Sequence, residues 1–161
     1  MKRFIFFFFT LVLLTVVQFV FLPLVKFYDV VLDLFLCCVI YFSLMFPKNI
    51  FHIAFFYGLV EDVLTVYPLG ANALAKLLLV LVITEISHYL DIENKLTQVL
   101  LVAFSTLVNY LFLFFLSRIF SFSFYFSWPN ILISILYNSI FAPLLFILLT
   151  YYTHLLKKNV V

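Results

Sequence analysis

Long apolar runs, broken by charges and prolines, dominate the pattern along this chain. A helix needs about 20 apolar residues, at a rise of about 1.5 Å each, to cross the hydrocarbon core of a bilayer. Charges and prolines divide the sequence into six such runs, and most connections between them are short. The pattern predicts an all-α, polytopic membrane protein that forms one transmembrane domain, 1–161, with six transmembrane helices at residues 4–22, 30–46, 49–66, 71–87, 96–117 and 131–155.

Composition also indicates that the chain lies in a membrane. Of the 161 residues, 68% are hydrophobic and 10% are charged, whereas soluble domains are roughly half apolar and about a quarter charged. A water-soluble core of this length could not hide so much Phe, Leu and Val, so we expect the chain to lie in lipid. The first apolar run is too long for the core of a signal peptide, and we expect it to be a retained first span.

Charge, cysteine content and motifs exclude several classes of protein. The net charge of +2 is small, so no nucleic-acid partner is expected. Cys37 and Cys38 are adjacent and are the only thiols, which argues against a disulfide framework or a zinc site. The chain lacks H-E-x-x-H, G-x-S-x-G and P-loop motifs. We expect no enzyme, no catalytic residue, no metal site and no cofactor.

Basic residues in the loops predict the orientation, because short cytoplasmic loops carry an excess of Lys and Arg. With the N-terminus inside, only Lys26 and Arg118 lie outside, and Lys76 lies within a span. We therefore predict that both termini are cytoplasmic. The outer segment 118–130 then reads as an aromatic belt at headgroup level, with a partner-docking surface as the alternative. The six cytoplasmic basic residues are Lys2, Arg3, Lys48, Lys95, Lys157 and Lys158.

Three charges interrupt the third and fourth spans. An ionisable group within a span costs at least ~2.5–3.5 kcal/mol, so it normally faces the bundle interior and has a partner. The turn at residues 67–70 makes these spans an antiparallel hairpin. Counting outward from its centre places Asp62 level with Ala75, about 10 Å below the turn. Glu61 and Lys76 fall at the same depth, which predicts an ion pair or a shared hydrogen-bond network, with the acid that Lys76 meets left open.

Small residues mark the facing sides of the hairpin. Gly58 and Asp62 are four residues apart and share one helix face, as do Ala71 and Ala75. Small residues allow two backbones to approach closely in a membrane. Glu61 and Asp62, in contrast, diverge by about 100° on a helix and make a poor acid/base pair. We expect the two arms to pack tightly around a neutralised polar spot.

Other polar residues fall in the same outer half of the predicted bundle. Gln18 ends the first span, Asp33 starts the second, and Asn109 and Asn138 lie about 12 and 10 Å below the outer ends of the last two spans. One interpretation is interhelical hydrogen bonds that fix the bundle. The alternative is a ligand cavity or a partner groove open to the outside.

These residues together resemble the MreD family of bacterial rod-shape-determining membrane proteins. Residues 33–44 resemble its second span, which opens on an Asp. Gly58-Leu-x-x-Asp62 followed by Pro68-Leu-Gly70 resembles its signature hairpin, and residues 136–144 with a Lys-Lys tail resemble its last span. Lys76 departs from this pattern, because an apolar residue is expected there.

The resemblance implies a six-helix fold similar to the substrate-capturing S-components of energy-coupling-factor (ECF) transporters. It also implies a place in the bacterial cytoplasmic membrane within the cell-wall elongation complex, bound to an MreC-like protein and indirectly to MreB and the cell-wall synthases. The first hypothesis is therefore a non-enzymatic scaffold of peptidoglycan elongation, and the second is a vitamin-type binding subunit of an ECF-like transporter. The candidate structural and partner-interaction residues are Asp33, Gly58, Glu61, Asp62, Pro68, Gly70, Lys76, Asn109 and Asn138.

Overall fold

The computed structural model describes residues 2–26, 28, 30–46, 50–65, 67–91, 94–124 and 126–158. In this part of the chain the secondary structure is helical, without a β-strand, which confirms the all-α class. From the second helix to the sixth, consecutive helices pack against one another. The α-helices are α1 (Lys2–Val16), α2 (Leu34–Met45), α3 (Ile50–Leu64), α4 (Ala71–Ser87), α5 (Lys95–Phe120) and α6 (Trp128–Lys158).

The last two helices are the longest. Residues Lys95–Phe120 and Trp128–His154 are long and apolar enough to cross a membrane, by length and composition. Only 39% and 33% of their apolar stretches are buried inside the bundle. The two helices pack against each other and expose apolar outer faces.

The second helix is the centre of the fold. It has 12 residues, against the 17 of the predicted second span, and begins at Leu34 rather than at residue 30. The difference arises because Asp33 caps the helix, with its side chain accepting from the Leu36 N–H at 2.8 Å, and Asp favours this N-cap position. Its residues from Leu34 to Ser43 are all buried. A helix that is apolar all round is buried all round, and α2 packs against α3, α4, α5 and α6.

The first helix does not end as a regular α-helix. It continues as a π-helical turn, Val17–Phe21, and a short 3₁₀ helix, Leu22–Val25. Gln18 lies in the π-helical turn, and its side-chain carbonyl accepts from the Leu34 N–H at 2.8 Å. The irregular turn therefore supplies a second hydrogen bond to the start of α2.

The third and fourth helices form the predicted hairpin. Helix α3 has 15 residues and α4 has 17. The end residues of the predicted third span, 49 and 66, lie outside the described part of the chain. Lys48, one of the basic residues that predict the orientation, also lies outside it. Both helices are shorter than the roughly 20 residues that an upright span needs.

A second, smaller apolar cluster lies where the hairpin turn meets the end of α5. It contains Ala71, Ala75, Leu113 and Leu116. Tyr67 packs on it from the turn. Burial raises the pKa of the Tyr67 phenol, with smaller contributions from Tyr110 and Glu61, so this ring enters the cluster neutral.

Candidate functional site

Asp62 caps the start of α4 from the neighbouring helix. It is 3% exposed, and its carboxylate accepts hydrogen bonds from three backbone N–H groups. The first N–H groups of a helix have no partner within that helix, and leaving a buried one unpaired costs about 1–3 kcal/mol. The negative charge also lies at the positive end of the helix dipole. The donors are Gly70 at 2.8 Å, Asn72 at 2.8 Å and Ala73 at 3.3 Å.

The turn explains why this cap comes from another helix. Gly70 is the N-cap residue of α4, has a φ of +102° and offers no side chain that could accept a hydrogen bond. The Ala71 N–H donates to the Pro68 carbonyl at 3.1 Å, and the Leu74 N–H donates to the Gly70 carbonyl at 2.8 Å. With Asp62, every N–H from residue 70 to residue 74 therefore has an acceptor.

Gly58 lets the two helices of the hairpin touch backbone to backbone. A Cβ at this position would lie 2.3 Å from the Ala73 Cα and 2.5 Å from the Ala73 nitrogen. Real Cβ atoms do not approach backbone atoms so closely, so the helices would have to move apart. The close approach also brings the Asp62 carboxylate, one turn further along α3, to the N–H groups of α4.

We expect Gly58→Ala to lower the free energy of unfolding by about 2–3 kcal/mol, the upper part of the usual range for overpacking. Unfolding of the purified protein in detergent, followed by circular dichroism, measures this change. Val63→Ala on the same helix is the control, since Val63 is 69% exposed and such changes cost about 0.5 kcal/mol or less. Equal losses in the two variants would contradict the close packing of α3 and α4.

Lys76 and Glu61 form an ion pair between α4 and α3. The Lys76 ammonium donates to the Glu61 carboxylate, with the lysine fully buried and the glutamate 14% exposed. Asp33 and Asp62 also act electrostatically on both groups. Among the described residues, Glu61 is the carboxylate in ion-pair contact with the Lys76 ammonium. The predicted pairing is present, and Glu61 is the acid in contact.

The register of the hairpin differs from the predicted one. The count from the turn places Asp62 level with Ala75, whereas its carboxylate reaches the first turn of α4 and Gly58 lies against Ala73. Counting residues outward from the centre of the turn assumes that the turn is tight and symmetrical. Helix α3 instead ends at Leu64 and α4 begins at Ala71, so the connection is longer and α4 is displaced along α3.

The ion pair forms despite this displacement because of side-chain direction. Side chains on an α-helix lean toward its N-terminus. Helix α4 begins at the turn, so Lys76 leans toward the turn, whereas Glu61 on α3 leans away from it. The two charged ends converge although their backbones are not level.

Asp33 is the centre of a second polar network. Its backbone N–H donates to the Asn138 side-chain oxygen at 3.0 Å. The Asn138 side-chain nitrogen donates to the Thr106 hydroxyl at 3.2 Å, and that hydroxyl donates to the Val102 carbonyl at 2.8 Å. Gln18 accepts from the Leu34 N–H, so the start of α2 is tied to the π-helical turn after α1, to α5 and to α6.

Asn109 is not part of these networks. It is 5% exposed, and its side-chain oxygen has no hydrogen-bond partner among the described residues. The same holds for the hydroxyls of Ser105 and Ser139 and for the side-chain nitrogen of Asn72. The predicted polar layer therefore consists of two bonded clusters, around Asp62 and Asp33, with Asn109 outside both.

Thr106 and Asn72 take part in the site without having been predicted. Thr106 accepts from Asn138, and the Asn72 N–H binds Asp62. Asn72 takes part through its backbone N–H, so its side chain gives no signal of this role. A Thr within an apolar run can face lipid or a neighbouring helix, and only the facing Asn138 on α6 distinguishes the two cases for Thr106.

The polar groups of the two clusters bind other groups of the protein and so hold its helices together. The Asp62 and Asp33 carboxylates accept backbone N–H groups, and the Glu61 carboxylate binds an ammonium. In the part of the chain that the structure covers, no group of three or more His, Cys, Asp or Glu residues is placed to hold a metal ion. The arrangement fixes helices relative to one another.

No protein-family model, no curated protein and no solved structure matches this chain. The resemblance to MreD therefore stays a prediction from the motifs around Asp33, Asp62 and Asn138.

Proposed function

We propose that this chain is a non-enzymatic integral membrane scaffold of the bacterial peptidoglycan elongation machinery, and that it binds an MreC-like partner. The observation that carries the proposal is that the buried charges hold helices together. Asp62, the acid of the signature hairpin, caps a neighbouring helix through three backbone N–H groups. A group engaged in this way stabilises the arrangement of two helices, which supports a scaffold role.

The outer surface of the long helices supports the membrane part of the proposal. Apolar side chains on the outer faces of α5 and α6 are exposed along most of their length, among them Leu100, Phe115, Leu136, Ile140 and Leu144. A continuous apolar surface of this kind is stable in lipid and aggregates in water. The shorter helices α1, α2, α3 and α4 would complete six spans, with α2 enclosed by the others. The loop charges favour cytoplasmic termini.

The partner part of the proposal rests on the resemblance and on where the matched residues lie. Asp33, Asp62 and Asn138 all belong to the networks that hold the starts of α2 and α4. In the predicted orientation these starts face the outer half of the membrane. The transmembrane helix and the periplasmic base of an MreC-like protein would meet the bundle on that side.

Asp62→Ala is the direct test, because the partner surface depends on the hairpin that this carboxylate fixes. We expect several-fold less MreC-like protein to be recovered with the Asp62→Ala variant than with the wild type, in pull-downs normalised to folded, membrane-extracted scaffold. Glu85→Ala, which removes an exposed carboxylate at the other end of α4, should recover the wild-type amount. Unchanged recovery together with normal rod shape would contradict this role of Asp62.

The transporter hypothesis has less support from the contacts. A solute pocket presents several convergent polar groups among apolar walls, whereas the polar groups around Asp33 and Asp62 bind helix starts and one another. A vitamin that raised the melting temperature of the protein by mass action would favour the transporter hypothesis over the scaffold.

A further inference from the structure

A small cavity lies at the end of α5, away from both polar clusters. Its volume is about 350 Å³, and it is lined by Phe114, Ser117, Arg118 and residues 121–124. This size is at the lower end of ordinary ligand sites, which measure about 300–1,000 Å³. The cavity is therefore large enough for a small polar group.

Arg118 provides the charge of this cavity. Its guanidinium lies 5.1 Å from the centre of the Phe114 ring, and no carboxylate among the described residues lies within ion-pair distance of it. Stacking on an aromatic ring orients a guanidinium while leaving its N–H groups directed outward. The cavity thus contains an oriented cation without a counter-charge.

Serine hydroxyls complete the polar lining. Ser121 ends α5 with a φ of 53°, and this conformation turns the chain so that residues 121–124 fold back over the cavity. Ser121 and Ser123 are exposed and can donate hydrogen bonds, whereas the Ser117 hydroxyl already donates to the Phe114 carbonyl at 2.7 Å. A guanidinium beside hydroxyl donors is the chemistry that binds phosphate oxygens.

A row of aromatic rings places this cavity at the level of lipid headgroups. The Phe114 and Phe126 rings are 4.7 Å apart, and the Phe126 and Trp128 rings are 5.0 Å apart. Trp128 begins α6 and is 60% exposed. Exposed Trp at the end of an apolar helix is typical of the membrane–water interface, where phospholipid phosphates lie.

We propose that this cavity binds the phosphate of an anionic, phosphoglycerol-type phospholipid headgroup. Arg118 neutralises the phosphate, and the hydroxyls of Ser121 and Ser123 donate to its oxygens. The lining residues include no carboxylate that could pair with an ammonium, so the site favours phosphatidylglycerol over phosphatidylethanolamine. The inference rests on the membrane-embedded part of the proposed function and is independent of its partner.

The sole tryptophan of the chain makes the site measurable. Brominated phospholipids quench tryptophan fluorescence at short range, so quenching of Trp128 reports the lipid bound beside it. In vesicles that contain both lipids, brominated phosphatidylglycerol should bind beside Trp128 about tenfold more tightly than brominated phosphatidylethanolamine, a difference of about 1.4 kcal/mol. The ammonium of phosphatidylethanolamine finds no carboxylate in the lining and repels the Arg118 guanidinium. Arg118→Gln should abolish the preference, and Arg118→Lys should retain part of it.

Lys95→Gln is the matched control, since it removes a basic residue at the opposite end of α5 and should keep the full preference. No preference in the wild type, or equal losses in Arg118→Gln and Lys95→Gln, would overturn the proposal. Binding of inorganic phosphate to the detergent-purified protein, together with no preference between the two lipids in vesicles, would assign the cavity to free phosphate and overturn the lipid assignment. A different result would contradict the proposed function, namely release of the chain from membranes without detergent.

Discussion

Replacing Lys76 by Met is expected to lower the free energy of unfolding by about 3–5 kcal/mol, the usual cost of removing one partner of a buried ion pair. The lysine is fully buried against Glu61. Its loss leaves the Glu61 carboxylate without a counter-charge in a region that Asp33 and Asp62 already make negative. Denaturant unfolding in detergent micelles measures the change.

The double variant Glu61→Leu/Lys76→Met separates loss of the pair from loss of packing. Because replacing a complete buried pair by apolar residues is often neutral, the double variant should regain most of the stability that Lys76→Met loses. Lys95→Met, which removes an exposed lysine at the start of α5, should cost about 0.5 kcal/mol or less. A double variant as unstable as the single one would show that the ammonium and carboxylate do not depend on each other.

The charge-swapped pair gives the same test without a change in composition. Glu61→Lys and Lys76→Glu should each destabilise the protein, because each places two like charges side by side. The combined swap should recover part of the loss. Failure of the combined swap to improve on either single swap would argue against direct contact.

Asp62→Ala is expected to cost about 3–5 kcal/mol. Three backbone N–H groups lose their acceptor, and unpaired buried donors cost about 1–3 kcal/mol each before the structure relaxes. Asp62→Asn should cost less than Asp62→Ala, since the amide oxygen still accepts while the amide nitrogen cannot. The free energy of unfolding, measured at equilibrium, should be highest for the wild type, lower for Asp62→Asn and lowest for Asp62→Ala.

Hydrogen exchange locates the origin of this loss. In Asp62→Asn the N–H groups of Asn72 and Ala73 should exchange faster, because they lose protection at the start of α4. Amides in the middle of α5 serve as the internal control and should keep their rates. Uniformly faster exchange across both helices would indicate global destabilisation instead of a missing cap.

Much of the hairpin could be predicted from the sequence because the cost of burying charge is large. Charged residues in an apolar run require partners, so an ion pair within the hairpin could be predicted. The sequence left open which acid Lys76 meets, and the structure pairs it with Glu61. The depth of the pairing could not be predicted. A count of residues treats the connection between α3 and α4 as tight, whereas its length depends on how Asp62 receives the first N–H groups of α4.

The boundaries of α2 illustrate a different limit. The apolar run from residue 30 to residue 46 places the start of the helix too early, whereas Asp33 within it is a good N-cap and marks the start correctly. The start at Leu34 is fixed by this local cap and by two long-range contacts, from Gln18 and Asn138. The order of polar residues along a helix can be read from sequence, but the neighbouring residues that each one meets depend on how the helices pack.

The short central helix also affects how the chain is made. Helix α2 has 12 residues and would cover about 18 Å, less than the roughly 30 Å of a hydrocarbon core. It also carries no lipid-facing side, because its neighbours surround it. In the membrane arrangement that we propose, α2 is therefore too short to insert as an independent span during synthesis. Its stable insertion then requires the later helices α3 to α6, which enclose it.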